Sequence, residues 1–241
     1  IKEASFTVLG SIALHGLRLS ETSLGSKVVV IGLGIIGQLV CRLAEAQGSE
    51  VIGIDPDTKR TDLSANFYTS VEEANMTNVD SVIITAATSS NEPIEVATKI
   101  ARNKAKIVVV GDIPLNISRN DFYYKELELV VSKSYGPGRY DKQYEILGKD
   151  YPIEYVRWTE NRNFEAFIKL LSQNQIHLLD LVTEEVSFEN APSIYKKFSG
   201  EDKPLSVVLR YDNKSEPKID FQRTVELEPK TEKVNLGILV A

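Results

Sequence analysis

The stretch that decides the fold is KVVVIGLGIIGQLVCRLAEAQGSEVIGID, Lys27 to Asp55. It opens on an apolar, β-branched run, Val28 to Ile31, which suits a strand covered on both faces. Gly32, Gly34 and Gly37 follow in the spacing G-x-G-x-x-G, with Leu33, Ile35 and Ile36 between them. Leu39, Val40, Leu43 and Ala44 then recur at helical spacing, and Gly48 closes the helix. A second apolar run, Val51 to Ile54, ends on Asp55. The order is strand, glycine turn, helix, strand, acid.

Each part of that order has a physical task. Gly32 permits a tight turn out of the strand, Gly34 lets a pyrophosphate approach the backbone, and Gly37 lets the helix lie close to the sheet. The free N–H groups and positive dipole end of the helix bind a diphosphate. Asp55 lies 21 positions after Gly34, where the acid that binds the adenosine ribose hydroxyls is expected. A 2′-phosphate beside that carboxylate would cost about 1–4 kcal/mol at a separation of about 4 Å. NAD is therefore the expected cofactor. Lys59 and Arg60 stand close behind, either lining the adenosine side or rescuing some NADP binding.

The rest of the chain continues the alternation. Ala4 to Leu19 has helical apolar spacing, interrupted by Gly10 and Gly16. After Pro56, Thr58 to Ala65 reads as a short helix and Phe67 to Thr69 as a weak strand. Asp80 to Thr85 is a strand running into Ala86, Ala87 and Thr88. Glu92 to Arg102 is a helix, and Lys106 to Val110 a strand running into Gly111, Asp112 and Ile113. Asp121 to Glu126 reads as a helix and Leu127 to Ser132 as a sixth strand. This predicts an α/β fold, a doubly wound parallel six-stranded Rossmann sheet with helices on both faces. Ligands in such sheets bind outside the carboxyl ends of the strands. Gly32 to Gly37, Asp55, Ala86 to Thr88 and Gly111 to Ile113 are thus expected on one rim.

Beyond the sixth strand, Tyr135 to Trp158 carries five tyrosines, a tryptophan and a Gly-Pro-Gly turn. Two readings stand: an aromatic loop that with Arg139 covers cofactor or grips a hydroxylated substrate, or an ordered surface loop packed on the domain. Asn163 to Ser172 and Ala191 to Phe198 read as helices, and Leu205 to Tyr211 as a last strand. Asp212 to Lys233 is polar and strand-poor, a linker, before an apolar run from Val234 to Ala241. The expected division is a dinucleotide-binding domain over residues 1–211 and a linker with the first strand of a following domain over residues 212–241. The start at Ile1 without methionine and the unfinished terminal run fit an excerpt of a longer chain.

Composition sets further bounds. A net charge of −6 with no long basic block argues against a nucleic-acid surface. No apolar stretch is long enough to span a membrane, and no signal peptide is visible in these residues. The single Cys41 lies inside the glycine-motif helix and forms no internal disulfide, which with the rest fits a reducing cytoplasm. His15 and His177 read as structural. Two histidines and one cysteine, far apart in sequence, make no plausible zinc site without outside help. No tyrosine has a lysine four positions later, and no nucleophile elbow or phosphate loop occurs. A nucleotide site is present without an evident catalytic residue.

With these residues in view, the chain resembles the cofactor-binding half of the medium-chain, zinc alcohol dehydrogenase-like dehydrogenases. The resemblance runs through ASFTVLGSIALHGLRL, the glycine stretch, SVIITAAT, KIVVVGD, and FENAPSIYKKF before SVVLRY. SKSYGPGRYD and DYPIEYVRWTENRN look like the branch fused to a second oxidoreductase module of the Gfo/Idh/MocA type, associated with surface polysaccharide synthesis. The resemblance implies hydride transfer between NAD and an alcohol or carbonyl, on a sugar or sugar nucleotide. It carries dinucleotide roles to Gly32, Gly34, Gly37, Asp55 and Arg60, and nicotinamide-end roles to Ala87, Thr88, Gly111 and Asp112. Zinc and proton relay belong to a preceding domain, and a homodimer through Leu127 to Ser132 is implied. Two other readings are a nucleotide-sensing regulatory module and a Rossmann scaffold that has lost its ligand.

Overall fold

The β-branched runs and the glycines between them build a six-stranded parallel sheet in the computed structural model, which describes residues 2–64, 66–198 and 203–211. A 3-10 turn, Lys2–Phe6, leads into α1 (Thr7–Leu19). The signature stretch forms β1 (Lys27–Ile31), α2 (Ile35–Ala46) and β2 (Glu50–Ile54). Then come α3 (Thr58–Thr61), β3 (Phe67–Tyr68), α4 (Val71–Ala74), β4 (Val79–Ile84), α5 (Glu92–Ile100) and β5 (Ala101–Val109). They are followed by α6 (Arg119–Lys125), β6 (Glu128–Val131), α7 (Lys142–Glu145) and α8 (Glu160–Ser172). The order closes with β7 (Glu184–Ser187), α9 (Ala191–Lys197) and β8 (Val207–Arg210).

The sheet runs β3-β2-β1-β4-β5-β6, every pair parallel, so the order reverses between β1 and β4. Alternate side chains of each strand point to opposite faces. Val28 and Val30 enter the core built with Leu14, Leu39 and Phe167, from α1, α2 and α8. Val29 and Ile31 enter the core built with Ile94, Ala97 and Ile100 of α5. Helices therefore cover both faces, as the near-continuous apolar strands require. The chain divides into two units, residues 1–210 and 211–241. The linker and the apolar run expected over residues 212–241 lie outside the described residues.

Several boundaries differ from the sequence reading. The helix expected over Glu92 to Arg102 stops at Ile100, and β5 begins at Ala101 with a register shift against β4. The Lys125 ammonium donates to the carbonyls of Thr98, Lys99 and Ala101 at 2.7, 2.9 and 2.8 Å, satisfying the acceptors a longer helix would have used. The helix expected from Thr58 runs only to Thr61 before its cap at Asp62. The last strand, β8, does not join the main sheet; it pairs in parallel with β7, an element the charged sequence EEVS did not announce.

Residues 134–158 fold as a packed appendage. Ser134, Gly136, Gly138 and Tyr140 all take positive φ, and the segment curls onto α1 and α8. The Tyr135 ring meets Phe164 at 5.2 Å, and the Asn163 amide donates to the Tyr135 carbonyl at 3.0 Å. Tyr144 is buried, stacked on Tyr151 at 5.5 Å, and donates to the Thr159 hydroxyl at 3.0 Å. Trp158 is stacked by two guanidiniums, Arg18 at 3.3 Å and Arg157 at 3.8 Å. Burial and the neighbouring Arg157 pull Arg18 down to about 10.

Two consequences can be measured. Phe167 is fully buried, and its ring fills the space left by Gly10, where a β-carbon would stand 2.1 Å from Cε2. Phe167→Ala should cost about 3–5 kcal/mol in chemical denaturation. Glu160 is 7% exposed, and among the described residues its Oε2 has no hydrogen-bond partner. Burial first, then the Glu145 charge, raises its pKa, against a smaller opposing effect of Arg139. The folded state thus holds this proton longer than the unfolded chain. Its contribution to stability is present at acid pH and lost as pH rises from the ordinary carboxylate range through the raised value. Glu160→Gln should remove that loss, so the variant gains on the wild type in unfolding free energy as pH rises.

Candidate dinucleotide crevice

The carboxyl ends of β1 and β4, where strand order reverses, open into a crevice of about 670 Å³. Gly32, Gly34, Asp55, Pro56 and Arg60 form one wall, and Thr85, Ala86, Ala87 and Thr88 another. Residues 69–72, and Glu92, Pro93, Glu95, Val96 and Lys99 of α5, complete it.

The glycine turn is fixed by close contacts. Gly32 turns at φ +96, and a β-carbon there would stand 2.5 Å from the Ala86 nitrogen. The Ala86 N–H donates to the Ile31 carbonyl at 3.1 Å and the Thr85 hydroxyl to the Gly32 carbonyl at 2.5 Å, so the ends of β1 and β4 are tied together. At Gly37 a β-carbon would lie 1.9 Å from the Gly32 oxygen, which brings α2 hard against the turn. Gly34 is different: its φ is −63, and the nearest atom to a β-carbon is the Arg60 Nη1 at 3.9 Å. Its exposed face is the open space that a phosphate needs. The first backbone N–H of α2 to find a turn partner is that of Gln38, to the Gly34 carbonyl at 2.9 Å. The N–H groups of Ile35, Ile36 and Gly37 precede it, at the positive end of the helix dipole. These features fit a diphosphate.

Asp55 is 4% exposed, at the end of β2. Its Oδ2 accepts from the Leu33 N–H at 2.7 Å and from the Arg60 Nη1 at 3.2 Å, and its Oδ1 accepts from the Asp57 N–H at 2.9 Å. A buried carboxylate is tolerable only when so paired. Arg60 reaches Asp57 as well, Nε to Oδ2 at 3.3 Å.

The sequence-derived residues are therefore mostly brought together, with qualifications. Leu33 is fully buried and offers its backbone to Asp55, while Ile35 and Ile36 pack on the core beneath α2. Gly111, Asp112 and Ile113 reach the same rim but do not line the crevice. They stand behind Ala86 to Thr88: the Thr88 N–H donates to the Asp112 carbonyl at 3.0 Å, and a Gly111 β-carbon would lie 2.0 Å from the Ala86 oxygen. The part that α4 and α5 play in the crevice was not anticipated; residues 69–72 follow the two-residue β3 and include the Ser70 cap of α4, and neither carries a ligand motif. No residue of the 134–158 segment lines the crevice. His177 is exposed, Cys41 is buried with its thiol pKa pushed up by burial, and burial followed by Arg18 lowers His15. Among the described residues no group of three His, Cys, Asp or Glu side chains could hold a metal. Among them too, no helix is long and apolar enough to cross a membrane.

Comparison with known proteins agrees with this geometry. Residues 14–121 match the family model described as D-isomer specific 2-hydroxyacid dehydrogenase, NAD binding domain. Over 167 residues the chain is 28% identical to 2-dehydro-3-deoxy-L-galactonate 5-dehydrogenase of Pseudoalteromonas atlantica, covering 61% of this chain and 47% of that protein. Over 206 residues it is 25% identical to D-guloside 3-dehydrogenase of Escherichia coli, covering 77% and 54%. The solved structure of a putative zinc-binding dehydrogenase from Sinorhizobium meliloti bound to NADP superposes with a TM-score of 0.63 at 20% identity, over 85% of this chain and 58% of that one. The chain thus carries an NAD-binding Rossmann domain, and it spans about half the length of the relatives it matches.

Gly34 and Gly37 separate binding from folding. Gly34→Ala should fold with stability within about 0.5 kcal/mol of wild type, yet lose about tenfold or more in NADH affinity because the methyl group occupies the phosphate approach. Gly37→Ala, with its β-carbon forced onto a backbone oxygen, should be destabilised by at least about 2 kcal/mol in denaturant unfolding.

Proposed function

We propose that this chain is the NAD(H)-binding half of an oxidoreductase that moves hydride between NAD and an alcohol or carbonyl on a sugar-like substrate. The observation that carries it is the buried Asp55 beside the open face of Gly34 and the N-terminus of α2. The sugar-derived substrates in the names of the relatives support the substrate class.

In this reading the bound nicotinamide supplies or accepts the hydride. The chain's own residues bind and orient. Gly34 and the first turn of α2 hold the diphosphate, Asp55 takes the adenosine ribose, and Ala86 to Thr88, backed by Gly111, Asp112 and Ile113, bound the path toward the nicotinamide. Asp55 beside Arg60 sets a preference for NAD over NADP by repelling a 2′-phosphate. The acid–base chemistry and any zinc reside on a partner domain, with residues 1–211 as the cofactor domain and residues 212–241 leading to further chain. A Gfo/Idh/MocA-type fusion, a role in surface polysaccharide synthesis, a cytoplasmic setting and a homodimer complete the proposal. The dimer contact would be β6, which ends the sheet order and presents Val131 at 58% exposure.

Calorimetric titration of this chain with NADH and NADPH tests the reading. NADH should bind at least about tenfold more tightly, the equivalent of about 1.4 kcal/mol. Equal affinities, or tighter binding of NADPH, would remove Asp55 from its assigned role.

A further inference from the structure

Resting on the dinucleotide reading, the geometry of Asp55 carries a more specific consequence. A carboxylate offers about four acceptor directions. Among the described residues three are already filled: Leu33 N–H and Arg60 Nη1 on Oδ2, and Asp57 N–H on Oδ1. A ribose 2′,3′-diol brings two hydroxyl donors to a carboxylate with one direction left. One protein donor has to yield.

The three donors are unequal in that respect. The Leu33 N–H belongs to the glycine turn, whose backbone is pinned between Ala86 and Gly37, and the Leu33 side chain is fully buried. The Asp57 N–H belongs to the turn that caps α3, where the Asp57 side chain accepts from the Lys59 N–H at 3.1 Å. Arg60 reaches Asp55 by a flexible side chain that is 40% exposed, and it already has a second anchor in Asp57.

We propose that Arg60 occupies the place of the ribose on Asp55 and is displaced onto Asp57 when NADH binds, so that it competes with the cofactor for Asp55. The resting ion pair then subtracts from NADH affinity. For NADPH the sign is opposite, because a 2′-phosphate offers the guanidinium the oxygens that Asp55 supplies in its absence. Arg60 therefore narrows the gap between the two cofactors, and Asp57 sets how easily it moves aside.

The test is calorimetric titration of the whole chain with NADH and with NADPH, for wild type, Arg60→Met, Asp57→Asn and the double variant. Methionine keeps an apolar stem without the charge, and asparagine keeps the helix cap. Arg60→Met should tighten NADH about two- to fivefold, the range set by a partly exposed ion pair, and weaken NADPH. Asp57→Asn should weaken NADH about twofold where Arg60 is present, and leave it unchanged in the Arg60→Met background. The proposal is overturned if Arg60→Met leaves NADH affinity unchanged or lower, or if Asp57→Asn acts equally in both backgrounds. Folded wild type and Arg60→Met that both ignore NADH would overturn the dinucleotide reading itself. Binding that appears only on removing Arg60 would support both.

Discussion

Helix α2 meets the glycine turn at a separation that only a hydrogen can occupy. A β-carbon at Gly37 would lie 1.9 Å from the Gly32 carbonyl and 2.8 Å from the Thr85 hydroxyl. That approach places the first turn of α2 over the ends of β1 and β4, and it holds the Gly32–Gly34 backbone in the position from which Leu33 reaches Asp55. Thr85 and Ala86 close the other side by bonding back to β1. The crevice, the aligned N–H groups and the placement of the acid are all consequences of one close contact.

The electrostatics follow from that geometry. Asp55 is a nearly buried anion a short distance from a helix N-terminus, and two backbone donors and one guanidinium compensate it. Removing any of them would leave the buried charge less well compensated, so the arrangement is a structural tie between β2 and the glycine turn. The crevice lining also includes Glu72, Glu92 and Glu95 with Lys99.

The main sheet, its parallel order and the glycine–acid set were legible because they rest on local, periodic signals. Val28 to Ile31, Val51 to Ile54 and Val82 to Ile84 are apolar throughout because both faces of their strands are covered. Elements that depend on distant partners were not. The end of α5 is set by Lys125, an ammonium 25 or more residues away from the carbonyls it meets at Thr98 and Lys99. β7 exists because β8 pairs with it, and nothing in EEVS shows that. The far wall of the crevice comes from α4 and α5, whose lining residues share no motif with the glycine turn. The tyrosine-rich segment was legible as unusual. Its packing on α1 and α8 depends on Gly136 and Asn163, which announce nothing individually.

In the proposed function one crevice, between the glycine turn and the ends of β2 and β4, takes the dinucleotide, while the tyrosine-rich segment packs on α1 and α8. Amide hydrogen exchange of the chain with and without saturating NADH tests this most directly. Exchange should slow over residues 32–38, 55–60 and 85–88, with residues 134–158 unchanged. Protection confined to residues 134–158, or none at the glycine turn under conditions where NADH is bound, would contradict it.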